Sequence, residues 1–314
     1  MADERDSSAA RELNGTAQGS SASISSIPGN ILECHERFNS DFEGPYFVSL
    51  PLEPHLFYCI RPQLDRLFHR YDYDADAGIT LRMASKIHDD FASEFAFLLQ
   101  QRINDILGKV PNAPRIKHRH SRLVELWEHD SSKRNRECHP DGQFKDDRAF
   151  EPGLVFEVGY SQTRNILDKV AKDYILGTEG AVTTVVCFNL KCGQGHSSVS
   201  IWRARKNPSL NTVEVVCDLE PTMFQDSDGE MVNGDKLLKL RLSDIAEEKY
   251  SEEYPLAPIH IPFSQLSRIF TSERLSPNEN YDRQSLYCSG PVGDHDLYRL
   301  IWPLAIVVKT DTIL

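Results

Sequence analysis

VFEVGYSQTRNILDK, Val155 to Lys169, passes from strand-like letters into helix-like ones within fifteen residues. Val155, Phe156 and Val158 are apolar on both parities, the pattern of a strand buried on both faces. Ile166, Leu167, Val170, Ala171, Tyr174 and Ile175 then recur at helical spacing and form one stripe. Glu157 interrupts the strand. Alternation places Glu157, Gly159 and Ser161 on one face, opposite Phe156, Val158 and Tyr160.

Working outward, AVTTVVCFNL, SVSIWRA and TVEVVCDL read as successive strands after that helix, and LLKLRLSDI as a further strand or helix start. Upstream, HRYDYDADAGITLRM reads as a hairpin, with a turn from Asp72 to Gly78 and a strand from Ile79 to Met83. DDFASEFAFLLQQRINDILGKV follows with Phe91, Phe95, Leu98, Leu99, Ile103, Ile106 and Leu107 at helical spacing, and Gly108 supplies a stop. Strands and helices in this order predict an α/β fold, a mixed β-sheet flanked by helices. Residues 1–43 read as a disordered Ser/Ala/Gly-rich tail, 44–250 as the folded domain and 251–314 as a C-terminal extension. RLIWPLAIVV near the end, broken by Pro303, is too short to span a bilayer.

The net charge of −12 argues against loose, sequence-independent DNA binding, which depends on neutralising phosphates. The charge is uneven, however. PRIKHRHSR concentrates Arg115, Lys117, Arg119 and Arg122, and such a strip can contact phosphates on an acidic protein; more often such a run is a solvated loop. Seven cysteines, thinly spread, do not form a disulfide framework, and no secretory signal or membrane span is evident. A cytosolic or nuclear protein is expected.

Asp141, in HPDGQF, precedes Glu157 by sixteen residues, each at or on a strand. Adjacent antiparallel strands would bring the two carboxylates together. Two hard oxygen donors suit Mg²⁺, with Mn²⁺ an alternative, and a bound metal would activate water for phosphodiester cleavage. A turn aspartate and an unrelated strand glutamate would account for the same letters.

HPDGQF, PGLVFEVGYSQ and LDKVAKDYILG together resemble the core of the PD-(D/E)XK, restriction-endonuclease-like superfamily. They are nearest the restriction endonuclease branch, whose second strand ends in Glu-Val-x-Ser or a close variant and which has uncharacterised fungal members. GITLRMASKIHDDF is similar to the opening hairpin and helix of that branch, with Ser85 and His88 at matching places. The resemblance covers roughly residues 45–250. It implies a restriction-endonuclease-like core in which Asp141 and Glu157 ligate the metal and are catalytic. An acid from the first helix, Glu94 ahead of Asp90, would complete the metal site, with Glu125 a further contributor.

The superfamily lysine belongs at Gly159, which has no side chain. Gln162 at the strand exit and Arg164 in the first helical turn are the candidate replacements. Lys169 lies about 150° around the helix from the stripe centre and is expected to face solvent. Arginine stays protonated and could stabilise charge but not act as a base. DYDADAGITLRM resembles a calcium loop but has Ala77 and Met83 where Gly and Glu are required. Cys187, Cys192 and His196 lack a second clean pair for zinc. His88 reads as a packing or capping residue.

Two readings follow. One is a Mg²⁺-dependent phosphodiester hydrolase, an endonuclease acting on DNA or, less readily, RNA, with Arg115, Lys117, Arg119 and Arg122 as nucleic-acid contacts and a homodimer compatible with either. The other is a catalytically silent restriction-endonuclease-like fold that binds nucleic acid or protein.

Overall fold

The computed structural model describes residues 27–40, 47–82, 85–110, 115–127, 134–159, 164–191, 195–207, 209, 212–246 and 257–275. Its elements are α1 (Gly29–Asn39), β1 (Phe47–Leu50), α2 (Pro54–Leu67), β2 (Tyr71–Asp74), β3 (Gly78–Arg82), α3 (Lys86–Leu107), β4 (Ile116–His118), β5 (Val124–Trp127), β6 (Arg134–Cys138), β7 (Gly142–Asp146) and β8 (Leu154–Gly159). α4 (Arg164–Gly177), β9 (Thr184–Asn189), β10 (Ser197–Asn207), β11 (Thr212–Gln225), β12 (Leu237–Arg241), a 3₁₀ turn (Leu242–Asp244), β13 (Pro258–Pro262) and α5 (Phe263–Leu275) complete them.

The expected mixed α/β architecture is present. β11-β10-β9-β8-β7-β4 form a six-stranded sheet in which only β8 and β9 are parallel, joined through α4. This is the connection a parallel pair needs, because a hairpin cannot join strands of one direction. β1-β3-β2-β6-β5 form a second, five-stranded antiparallel sheet, and β12 pairs with β13.

Alternation along β8 divides the core. Leu154, Phe156 and Val158 pack with Val186 and Phe188 under α3 and α5, where Phe91, Phe95 and Phe270 are fully buried. Val155 faces the other way, with Val185 and Cys187, against Leu167, Ala171 and Tyr174 of α4. A third cluster, built on Phe57, Ile60, Tyr71, Tyr73 and Leu81, fills the space between α2 and the five-stranded sheet. Phe57 stacks on Tyr73 with ring centroids 3.6 Å apart.

Three expectations change. The stretch read as a disordered tail contains α1, whose Ile31 and Cys34 are buried in the third cluster; residues 1–26 lie outside the described residues. The stretch read as a C-terminal extension contributes β13 and α5 to the main core through Ile259, Ile261, Phe263, Leu266 and Phe270, so the fold runs on to Leu275; RLIWPLAIVV lies outside the described residues. The hairpin turn is shorter than the letters suggested, because Asp72–Asp74 belong to β2 and the reversal spans residues 75–77. Asp74 accepts from the Asp76 and Ala77 amides at 2.9 and 3.0 Å, a local turn that closes the hairpin. Among the described residues, no helix is long and apolar enough to cross a membrane.

Gly153 sits where the chain enters β8, and a Cβ there would fall 1.9 Å from the Ile245 carbonyl oxygen. That obstacle is backbone and cannot rotate away. Gly153→Ala is therefore expected to destabilise the fold by about 1–3 kcal/mol, measured as a lower urea midpoint with an unchanged slope.

Candidate functional site

The pairing of Gly142 with Phe156 sets Asp141 beside Glu157 at one end of the six-stranded sheet. Both carboxylates are buried. Asp141 Oδ2 accepts from the Val158 amide at 2.6 Å and lies 3.0 Å from His88 Nε2. Its Oδ1 takes an ion pair from Arg70 and stands 3.4 Å from Arg82 Nη2. Glu157 Oε2 accepts from Arg82 Nη2 at 2.8 Å, and Oε1 from the Tyr174 hydroxyl at 2.8 Å. All four carboxylate oxygens thus have protein donors.

The donors come from separate elements. Arg82 closes β3 of the five-stranded sheet, and its Nη1 also reaches the His139 carbonyl at 2.9 Å. Arg70 lies in the connection between α2 and β2 and pairs with Asp89 as well. His88 is placed by the cap of α3, where its amide meets Ser85 Oγ at 3.3 Å. Tyr174 arrives on the buried stripe of α4.

Burial is the largest influence on each titrating member. For Asp141 it works against ionisation, but His88, Arg82 and Arg70 outweigh it and hold the carboxyl well below the usual range. For Glu157, burial and the Asp141 charge outweigh Arg82 and raise the group to about 7. For His88, burial opposes charging, yet Asp141 and Asp89 raise it to about 9. The nearest neighbours of Asp141 are therefore cations, and Glu157 is the group that yields.

Of the other sequence candidates, Glu94 stands exposed on α3, and Asp90 pairs at 3.5 Å with Lys86. The helix supplies the cluster with His88 and Asp89 instead. Glu125 lies on β5, in cross-strand register with Glu137. Gln162 lies outside the described residues, as does the Arg164 side chain. Lys169 is half-buried rather than solvent-facing; burial lowers its pKa, and Asp173 and Arg136 are its charged neighbours. At Gly159 a Cβ would come within 2.9 Å of Leu167 Cδ1. A side chain at this position would require the Leu167 side chain to shift.

This donor set does not fit a divalent metal. Mg²⁺ takes near-octahedral oxygen ligands, whereas here two guanidinium groups and the His88 imidazole, with a phenol and an amide, hold the carboxylate oxygens, and the guanidinium charges would repel a further cation. Among the described residues, no three His, Cys, Asp or Glu side chains are arranged to share an ion.

Beside the cluster opens a pocket of about 490 Å³, whose wall includes Asp141, Arg70 and the consecutive residues His118 to Arg122. Gln100 fixes this wall to α3, accepting from the His118 amide at 2.9 Å and donating to the Ile116 carbonyl at 3.2 Å. Buried Gln143 holds it from β7 by donating to the Arg122 carbonyl. Lys117 and Arg119 share Asp147 at 2.8 and 2.7 Å. The His118 ring lies beside Phe144 and Phe156, and burial, then His120, lowers its pKa to about 4.

One solved structure is similar in part. It is described as "a putative nuclease belonging to DUF820" from Anabaena variabilis ATCC 29413, and the match has 12% identity and a TM-score of 0.36 over 64% of this chain and 90% of that one. At that score the likeness does not establish a shared fold. No family model matches the chain, and no curated protein does.

Sequence reading had placed Asp141 and Glu157 as candidates but missed Arg70 and Arg82 and gave Tyr174 only a packing role.

Removing Arg82 would leave two buried carboxylates undercompensated. Arg82→Ala should cost about 3–5 kcal/mol, and Arg82→Lys, which keeps the charge, distinctly less by urea denaturation. His88 and Glu157 both bind protons more tightly folded than their ordinary values of 6.5 and 4.5. Their stabilisation is complete below those values and is lost as pH rises, through about 7 for Glu157 and about 9 for His88. Asp141 has the opposite sign and loses its contribution in acid. Denaturation between pH 6.5 and 9 should thus show a decline on the order of 3 kcal/mol, and His88→Gln should flatten it.

Proposed function

We propose that the chain is a nucleic-acid-binding protein on a restriction-endonuclease-like α/β fold, with its paired carboxylates closed by arginine and silent in phosphodiester hydrolysis. The observation that carries this reading is the Arg82 guanidinium, 2.8 Å from Glu157 and 3.4 Å from Asp141. An internal cation stands against both carboxylates, so neither is available as a base or a ligand while it stays. The partner class is supported by the cationic wall beside the cluster. Arg115 and Arg122 are exposed and have no ion-pair partner among the described residues, while Asp147 occupies Lys117 and Arg119.

The adjacency of Asp141 and Glu157 favours a second reading, a Mg²⁺- or Mn²⁺-dependent endonuclease for DNA or RNA. It would require Arg82 to leave both carboxylates.

Plasmid and single-stranded substrates incubated with Mg²⁺ or Mn²⁺ decide between them. No cleavage above background is expected, and none that Asp141→Asn or Glu157→Gln removes; cleavage lost in both variants would establish the second reading. In fluorescence anisotropy, two uncompensated arginines should give a logarithmic salt slope near about −2, against about −4 if all four strip cations met phosphates. An absence of binding at low salt would refute the nucleic-acid assignment.

A further inference from the structure

The β7–β8 connection displays Phe150 at the surface, 74% exposed, although the chain around it is held. Ala149 and Pro152 are buried, and the Ala149 amide donates to the Asp146 carbonyl at 3.0 Å. The buried Asp146 carboxylate accepts from the Arg148 amide at 3.0 Å and from its guanidinium at 2.7 Å. Lys145 donates to the Phe150 carbonyl. Phe150 thus stands on a pinned turn, with little backbone freedom left to lose when a partner lands on its ring.

Cations gather beside that ring. Lys145 Nζ lies 5.9 Å from its centroid, within reach of a cation–π contact. The pairing of β4 with β7 sets Lys117 directly opposite Lys145, and the Asp147 amide donates to the Arg115 carbonyl just beyond the ladder. Like charges in direct register are unfavourable within a sheet. Residues 115–122 and 145–151 hold six cations and three carboxylates, on a chain whose net charge is −12. Asp146 pairs with Arg148, Asp147 with Lys117 and Arg119, and Glu151 is half-buried. Arg115 is exposed and has no ion-pair partner among the described residues.

Among the described residues, β4 is the outer strand on this side of the six-stranded sheet. Lysine on an outer strand deters pairing with other chains, and that role accounts for Lys117. It does not account for a large exposed ring beside the same edge, because exposed apolar surface invites the contacts that the charge deters. Ring and cations are used together by a ligand that repeats a π face and a negative charge. Single-stranded nucleic acid is such a ligand: its unstacked bases lie on exposed aromatic rings while its phosphates meet Lys and Arg. In a duplex the base faces are stacked on one another, and a ring on a surface turn meets mainly backbone.

We propose that Phe150, with Lys145, Lys117 and Arg115, forms a stacking platform for single-stranded nucleic acid, DNA or RNA. The platform rests on the nucleic-acid reading above and adds to it the form of the partner.

Fluorescence anisotropy of the full chain with labelled oligo(dT), oligo(U) and a blunt DNA duplex of equal length tests it. At least one single strand should bind about tenfold more tightly than the duplex. Phe150→Ala should weaken that binding by about tenfold and leave its salt slope unchanged, because no charge is removed. Phe150→Trp should retain the affinity, whereas Phe150→Leu, apolar but without a π face, should lose it as alanine does. Arg115→Ala should make the slope shallower. Tyr58→Ala, which removes an exposed ring from α2, should change nothing. Single-strand binding that survives undiminished in Phe150→Ala, or in Phe150→Leu, overturns the platform and leaves the nucleic-acid reading standing. A duplex bound as tightly as both single strands, or more tightly, does the same. No binding of any of the three at low salt refutes the nucleic-acid reading and the platform with it.

Discussion

Arg82 joins two sheets that share no strand. It ends β3 in the five-stranded sheet, while the carboxylates it meets belong to the β7–β8 end of the six-stranded one. A guanidinium with fixed donor geometry suits this position, because one planar group can serve Glu157, Asp141 and the His139 carbonyl together. A hydrophobic contact would resist separation of the sheets but would tolerate sliding. The charged contact specifies one alignment, and Arg70 reinforces it from the preceding connection.

Burying so many charges is unfavourable unless each is matched. The matching here is unequal, which explains the opposite behaviour of two neighbouring carboxylates. Asp141 has an amide, an imidazole and two guanidinium groups around it and stays ionised. Glu157 has Arg82 and the Tyr174 hydroxyl, faces Asp141, and has its pKa raised. Like charges held close cannot both ionise freely. The burden falls on the one with fewer donors.

Sequence reading reached the elements whose signals are local. α3 stops at Gly108 as its letters indicate, though it starts at Lys86, a turn earlier than Asp89, and α4 follows the apolar stripe through Tyr174. Strand alternation placed Phe156 and Glu157 on opposite faces, as the two core clusters require. α1 was hidden because its short apolar stripe adjoins a Ser-rich stretch, and only contact with α2 and the β2–β3 hairpin makes it favourable. The partners of the carboxylates were hidden for a different reason. Arg82 and Glu157 are 75 residues apart, and no spacing rule connects them. An arginine at the end of a hairpin strand has the same local pattern whether it meets water or a buried acid.

Gly159 and Arg82 now bear on the same problem from two sides. A lysine at position 159 would project from β8 into the Leu167 side chain, which would have to move aside. Leu167 and Tyr174, the residue that donates to Glu157, lie on the buried stripe of the same helix. With the helix seated, the only cations that directly contact the two carboxylates among the described residues are Arg70, Arg82 and protonated His88. Arginine keeps its proton throughout the physiological range, and His88 titrates at about 9 while its partner Asp141 remains ionised. Arg70, Arg82 and His88 therefore hold their protons at neutral pH around an ionised Asp141, which suits a fixed electrostatic joint and opposes general-base chemistry at Asp141; Glu157, raised to about 7, is the member that exchanges a proton there.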